Sequence, residues 1–465
     1  MDLRSRPNDS DLRQRPRTFT LRRGRLVVWS VGIMVAVAAC GQGAGQLATN
    51  HSLDAAGSVR NAAGMHAPGS NVLSPGSGSR SGSARPAGGP SPPLPGESPS
   101  PGSSPTASAE PSGTANPTAG PTPTAAPTPT PSPKPTPAPG TRNKLLWPFA
   151  STSIWNMPIG RGAVYVPAHI APPTIQSLTT DQDIIVMDPT APLVTLIHSG
   201  AGWGGANRCV GTGPTLASVP IPSNFIVSSN GHNDALAVLM PDGQTVLQGQ
   251  PFARCAAGAV GTVLALAPSD NLYGAGILGA HGGSGLSALG GTIRLNELVP
   301  GAEIRHALKV NVDGLTDLYP SPGYRWPAVR HDGCAPGCYG GSVPAMEMGS
   351  LLAIPASVNI NALGLETTPG RMLAWTLQNY GAYVADDSAR SVFSIETEYS
   401  PSGSVATQFQ QTWGFPFQAP AGSGTPWSHD INVILANLNV VANNGPASIG
   451  GGGTPLQPLA PPIGN

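Results

Sequence analysis

The chain has 465 residues, of which 60 are glycine and 53 proline, too many for packed structure throughout, so part of it is expected to stay outside any folded domain. Its zero net charge averages unlike parts: the first 39 residues hold eight arginines and three aspartates, whereas residues 143–465 hold 11 Lys and Arg against 18 Asp and Glu, a net charge of −7. That acidic balance argues against a nucleic-acid partner, which needs clustered positive charge.

Arginines at 4, 6, 13, 15, 17, 22, 23 and 25 precede the apolar run Leu26 to Ala39, which ends at Cys40. This is the layout of an export signal, and about 14 apolar residues are too few to span a bilayer, which takes roughly 20. Val37-Ala38-Ala39-Cys40 resembles a lipobox, so residues 1–39 are expected to be removed and Cys40 to carry lipid. The predicted location is the outer face of the cell membrane, with the membrane as a partner through that anchor.

Residues 40–142 are almost entirely Pro, Ser, Thr, Gly and Ala. Such a segment buries too little apolar surface to offset its chain entropy and is expected to be a disordered tether. About 100 flexible residues span roughly 55 Å, so its purpose is reach.

Residues 143–465 read as one β-rich domain, with short apolar stretches separated by Gly, Pro, Asn and Asp turns. Residues 235–240 and 245–247 make a hairpin around Pro241-Asp242-Gly243-Gln244, and residues 292–298 and 303–312 a second one, turning at Pro300-Gly301. Two helices are predicted. One is capped by Thr368, with Pro369 at its first position and Gly381 at its end; the other starts near Ser428 and ends before Asn443. A parallel α/β fold would need a helix between most strands, so the expected class is mainly β, a β-sandwich or jelly-roll-like domain.

Five cysteines are present, and with Cys40 lipidated four remain. In an oxidising compartment Cys209 with Cys255 and Cys334 with Cys338 are the expected disulfides. The competing reading makes His331, Cys334 and Cys338 part of a metal site.

Gly279 to Arg294 (GAHGGSGLSALGGTIR), Arg305 to Val310 (RHALKV), Tyr380 to Asp387 (YGAYVADD) and Gly450 to Pro455 (GGGGTP) resemble a family of secreted bacterial β-rich proteins with no established activity. The resemblance covers most of the domain and implies one coherent fold. Asn233 and Asp234 stand where more distant relatives have Asp-x-His before a strand, and are taken as substrate-binding candidates.

Candidate chemistry comes from polar residues on otherwise apolar strand faces. Ile304, His306, Leu308 and Val310 alternate onto one face, and Ile293, Leu295, Glu297 and Val299 onto the facing one, which makes His306 the diagonal neighbour of Glu297 at roughly 7 to 8 Å. A carboxylate that orients an imidazole is a common way to build a general base. The Gly-rich loop carrying His281 is positioned to bring a second imidazole to the same mouth. Asp386 could complete a two-carboxylate hydrolase with Glu297, or Tyr383 could act with His306 in a lyase on an acidic sugar. Trp326 and Arg330 would stack on sugar and neutralise its carboxylate.

No H-E-x-x-H, G-x-S-x-G, P-loop or dinucleotide fingerprint occurs, and no cofactor or metal is expected. The predicted function is a carbohydrate-active enzyme on extracellular polysaccharide or cell-envelope glycan. The alternatives are a noncatalytic sugar-binding or adhesive module and an envelope structural protein.

Overall fold

The computed structural model describes residues 140–203, 207–229 and 232–464. The signal segment, Cys40 and the tether up to residue 139 lie outside the described residues. Arg142, which the sequence places at the end of the tether, is buried: its guanidinium donates to the carbonyls of Trp147, Pro148, Phe149 and Pro461.

The mainly β class with few helices is what the domain has. Its strands are β1 (Tyr165–Pro167), β2 (Gln176–Val186), β3 (Leu193–His198), β4 (Thr215–Pro220), β5 (Ala235–Leu239), β6 (Thr245–Ala253) and β7 (Gly261–Asn271). There follow β8 (Leu308–Val312), β9 (Leu351–Ala353), β10 (Ala382–Asp387), β11 (Val392–Ser400), β12 (Gly403–Ser404), β13 (Ala419–Pro420) and β14 (Asn439–Val441). Twelve are hydrogen-bonded in the order β1-β14-β9-β10-β8-β11-β2-β5-β6-β7-β3-β4, while β12 pairs with β11 and β13 with β2. The sheet is mixed, because β2 runs parallel to both β5 and β11, β8 to β10, and β3 to β7.

Four helices, α1 (Gly314–Asp317), α2 (Thr368–Asn379), α3 (Val405–Trp413) and α4 (Pro426–Ala436), accompany the sheet. Leu373 and Leu377 of α2, Phe409 of α3 and Trp427 and Ile431 of α4 close a core on Leu308, Val310, Val312, Val384 and Ile395. Each such fully buried side chain contributes about 1.5–3 kcal/mol. The alternate residues Ile185, Ala237, Tyr383 and Ala385 face a second core, built with Phe149, Trp155, Leu286 and Leu289 from two long loops. The middle of the sheet is therefore buried on both faces, and any polar side chain there is buried with it.

The hairpin of β5 and β6 forms as expected, with Asp242 accepting from the amides of Gln244 and Thr245. The second expected hairpin does not form. Residues 295–300 form turns and bends, Ile293 bridges Thr397 instead, and the chain becomes a strand only at Leu308. Glu398 of β11 holds this segment instead: its carboxylate accepts from the Leu295 amide and the Arg294 guanidinium.

Both predicted helices exist, with shifted ends. The cap of α2 is Thr367, one residue before the predicted Thr368, because its hydroxyl accepts from the Gly370 amide at 3.0 Å. α4 starts at Pro426 under a Thr425 cap and stops at Ala436, where Asn437 turns the chain so that residues 439–441 can pair as β14 with β1 and β9. α3 is an addition to the sequence reading. Cys209 is bonded to Cys255 and Cys334 to Cys338, so the two thiols of the competing metal reading are spent on each other.

Candidate active site

Four neighbouring strands, in the order β10, β8, β11 and β2, carry the polar face, and Asn233 joins it from just before β5. On β8, Leu308, Val310 and Val312 enter the helix-covered core, which turns Lys309 and Asn311 to the other side. Glu396 of β11 lies opposite Asp181 of β2. A bulge between Val384 and Asp386 in β10 sets Asp386 opposite Asn311. Bulges re-aim side chains in this way, often beside functional sites.

The Gly-rich loop folds down over these groups. The His281 amide donates to the Leu286 carbonyl and the Gly285 amide to the His281 carbonyl, which closes a tight turn. Gly282 and Gly283 press against carboxylates: a Cβ on Gly282 would overlap Asp386, and one on Gly283 would lie 2.5 Å from Asp332 Oδ2. Only glycine allows this approach, and the Gly283 amide uses it to donate to Asp386 Oδ1 at 2.9 Å.

Within the cluster, Asn233 Nδ2 donates to Asp181 Oδ2 at 2.6 Å and to Asp386 Oδ2 at 2.9 Å. Asn311 Nδ2 also reaches Asp181 Oδ2, at 3.3 Å. His281 Nε2 lies 3.2 Å from Glu396 Oε1 and 3.7 Å from Asp183 Oδ1, and its Nδ1 lies 3.9 Å from Asp386 Oδ2. Lys309 Nζ is 2.9 Å from Asp183 Oδ2, which also accepts from the Thr292 hydroxyl at 2.6 Å. Asp332 accepts from the Tyr339 hydroxyl at 2.7 Å.

Burial dominates the electrostatics. It lifts the Glu396 carboxyl well above the usual range, with Asp181 adding to the effect, and lifts Asp386 likewise, with Asp332 adding. Burial raises Asp183 to about 6 against the pull of Lys309. His281 falls to about 4 through burial and then the Lys309 charge, so its ring is neutral at pH 7.

No family model, no curated protein and no solved structure matches the chain. A functional reading therefore starts from what these side chains can do. Asp181 and Asp386 are two carboxylates held by one amide, at the more open side of the cluster, where Asn233, Arg330 and Arg390 are partly exposed. Asp181 keeps 9% of its surface accessible, whereas Glu396 and His281 keep none.

Of the residues singled out from sequence, His281, Asp386 and Asn233 meet here, and Arg330 touches the loop through the Gly282 carbonyl at 3.2 Å. Glu297 and His306 do meet each other, at 3.0 Å between Oε2 and Nε2, but in the turn that replaced the hairpin. No hydrogen bond or ion pair among the described residues joins them to His281 or Asp386. Glu297 Oε2 also accepts from the Arg294 amide at 2.7 Å, and His306 Nδ1 donates to the Ala307 carbonyl at 2.9 Å. Both ring nitrogens face acceptors, which favours the protonated imidazole: burial pulls its pKa down, but the Glu297 charge and hydrogen bond carry it above the ordinary value. The pair closes a turn, beside a cavity of about 10 Å³ that holds no more than one water.

Tyr383, Asp386 and Asp387 lie on the buried strand β10. Tyr383 is sealed edge-on against Trp155, with ring centroids 5.5 Å apart. Asp234 is fully buried and paired with Arg208 at 3.1 Å, and Trp326 packs against the second core.

Asp181, Asp183, Asp332, Glu396, Lys309 and Asn311 escaped the sequence reading. Their signal was present: Ser394, Glu396 and Glu398 alternate with Phe393 and Ile395, and Lys309 and Asn311 with Leu308, Val310 and Val312. Without knowledge that a loop covers that face, the polar half of each alternation reads as solvent-exposed.

Proposed function

We propose that this domain is a carbohydrate-active enzyme that hydrolyses extracellular polysaccharide, held at the cell surface by a lipid on Cys40 and the Pro/Ser/Thr-rich segment that follows it. The observation that carries the reading is the pairing of Asp181 with Asp386 through Asn233. Two oxygens that bond one nitrogen can be no farther apart than the two bonds laid end to end, so the pair is not spread beyond the roughly 5–5.5 Å carboxyl spacing of retaining glycosidases and falls short of the wider spacing of inverting ones.

Glycoside hydrolysis asks one carboxyl to protonate the leaving oxygen and another to support attack at the anomeric carbon. Burial separates the two environments here. Asp386 sits deeper, among backbone amides and next to Asp332, while Asp181 faces the open rim with Asn233. Arg330 and Arg390, both partly exposed, supply positive charge toward an acidic sugar at that rim. Glu297 and His306 serve the fold of the neighbouring turn in this reading, and Tyr383 serves the core.

The test is a panel of neutral and uronate-rich polysaccharides incubated with the full chain, scored for new reducing ends and, for elimination, ultraviolet absorbance. Cleavage that Asp386→Asn abolishes supports the reading. Release of unsaturated ends instead would mean a lyase, and tight binding without cleavage would mean a sugar-binding module.

A further inference from the structure

The structure assigns a divalent metal site to Asp181, His281 and Glu396, with first-row cations such as Zn²⁺ or Mn²⁺ as the class of ligand. Each residue offers one ligand atom, and the three atoms lie within 4.8 Å of one another. His281 Nε2 and Glu396 Oε1, 3.2 Å apart, have the spacing of two neighbouring ligands on one ion, since bonds of about 2.1 Å at right angles set their ends about 3 Å apart.

A second observation points to a missing partner. Among the described residues, no well-aligned hydrogen bond reaches either carboxylate oxygen of the fully buried Glu396 or either ring nitrogen of the fully buried His281, although the two face each other at 3.2 Å and Asn311 lies beside Glu396. Asp183 Oδ1 and Asn311 Oδ1 are also buried without a hydrogen bond. Orphaned buried polar atoms are costly, and in native proteins they call for a specific explanation. Here the orphans belong to residues packed around one another.

Charge makes the same case. Asp181, Asp183, Asp332, Asp386 and Glu396 are all buried, against one buried ammonium among the described residues, Lys309, and the guanidinium groups of Arg208 and Arg390 toward Asp181 and of Arg330 toward Asp332. A cation at this point would satisfy the lone pairs of His281 and Glu396 and offset the excess of carboxylates. The mixture of one imidazole with carboxylates suits Zn²⁺ or Mn²⁺ better than Ca²⁺ or Mg²⁺, which favour oxygen ligands alone. The inference rests on the proposed enzyme reading for the ion's purpose, where it would hold Asp181 in place beside Asp386, but not for the ion's existence.

The experiment uses the purified full chain, stripped with a chelator and dialysed against Zn²⁺, Mn²⁺ or Ca²⁺, with metal content measured by mass spectrometry, affinity by calorimetry and Tm by thermal melting. One equivalent of Zn²⁺ or Mn²⁺ with a raised Tm is expected. Glu396→Gln and Asp181→Asn should each weaken that affinity by about 100-fold or more, since even supporting groups around a metal cost 10- to 100-fold. Less than a tenth of an equivalent in wild type, or unchanged affinity in folded Glu396→Gln and Asp181→Asn, overturns the site. If Glu396→Gln does not fold, Asp181→Asn at the rim and the wild-type titration still decide it. Metal content is measured without any sugar, so failure to bind metal and failure to cleave polysaccharide are separate results.

Discussion

Asn233 Nδ2 donates to the carboxylates of Asp181 and Asp386 at once, at 2.6 and 2.9 Å, and so ties β2 to β10 across two intervening strands. Asn233→Ala removes the tie and leaves two carboxylates facing each other without a shared donor. It should lower turnover at least tenfold and shift the pH profile of kcat. Asn233→Asp, which adds a third negative charge, should be worse than Asn233→Ala.

Gly282 and Gly283 are needed for the approach of carboxylates to the loop. Gly282→Ala forces a methyl into Asp386 and should cost about 1–3 kcal/mol and the activity with it. Gly243→Ala is the control: its φ of +68° strains a side chain but nothing lies within 4 Å, so about 1 kcal/mol and unchanged turnover are expected. Urea melts of both variants make the comparison.

Much of the fold could be read in the residues themselves. Turn chemistry at Pro241-Asp242-Gly243-Gln244 marks the β5–β6 hairpin, and Pro369 and Gly381 bracket α2. The pairing of Glu297 with His306 was also legible, although through a turn rather than a hairpin. The site was half legible. His281, Asp386 and Asn233 stand out as polar residues in turns or beside strands. Asp181 and Glu396 are brought together only by the parallel pairing of β2 and β11, some 200 residues apart in sequence, and no local pattern encodes that register.

Stability should fall as pH rises from the acid side through neutrality. His306 is raised above its ordinary value by Glu297 once burial is overcome, so its contribution is complete below about pH 6.5 and is lost as pH climbs through the folded value. Asp270, pushed up to about 7 by burial, acts in the same direction: its contribution is complete below its ordinary value and disappears through about pH 7. Thermal melts from pH 5.5 to 8.5 should show a declining Tm in wild type. Glu297→Gln with Asp270→Asn should make the slope shallower, Asp387, also pushed up to about 7 by burial, keeping part of it, and Glu297→Gln alone should cost about 1–3 kcal/mol near pH 6 by leaving the His306 cation without its charged partner.

The two disulfides should differ in weight. Cys209–Cys255 spans 46 residues and Cys334–Cys338 four, so chain-entropy arguments assign about 4 and about 2 kcal/mol. Double serine variants of each pair, compared by denaturant melts, should keep that order.

The central claim is that Asp181 and Asp386 form the working pair. It is tested most directly by reducing-end release from a polysaccharide that the full chain cleaves, measured for wild type, Asp181→Asn and Asp386→Asn alongside their melting temperatures. The account predicts that both variants lose about 100- to 10,000-fold in rate while remaining folded. Turnover within a few-fold of wild type in either folded variant would contradict it, as would the absence of new ends from every polysaccharide in the panel.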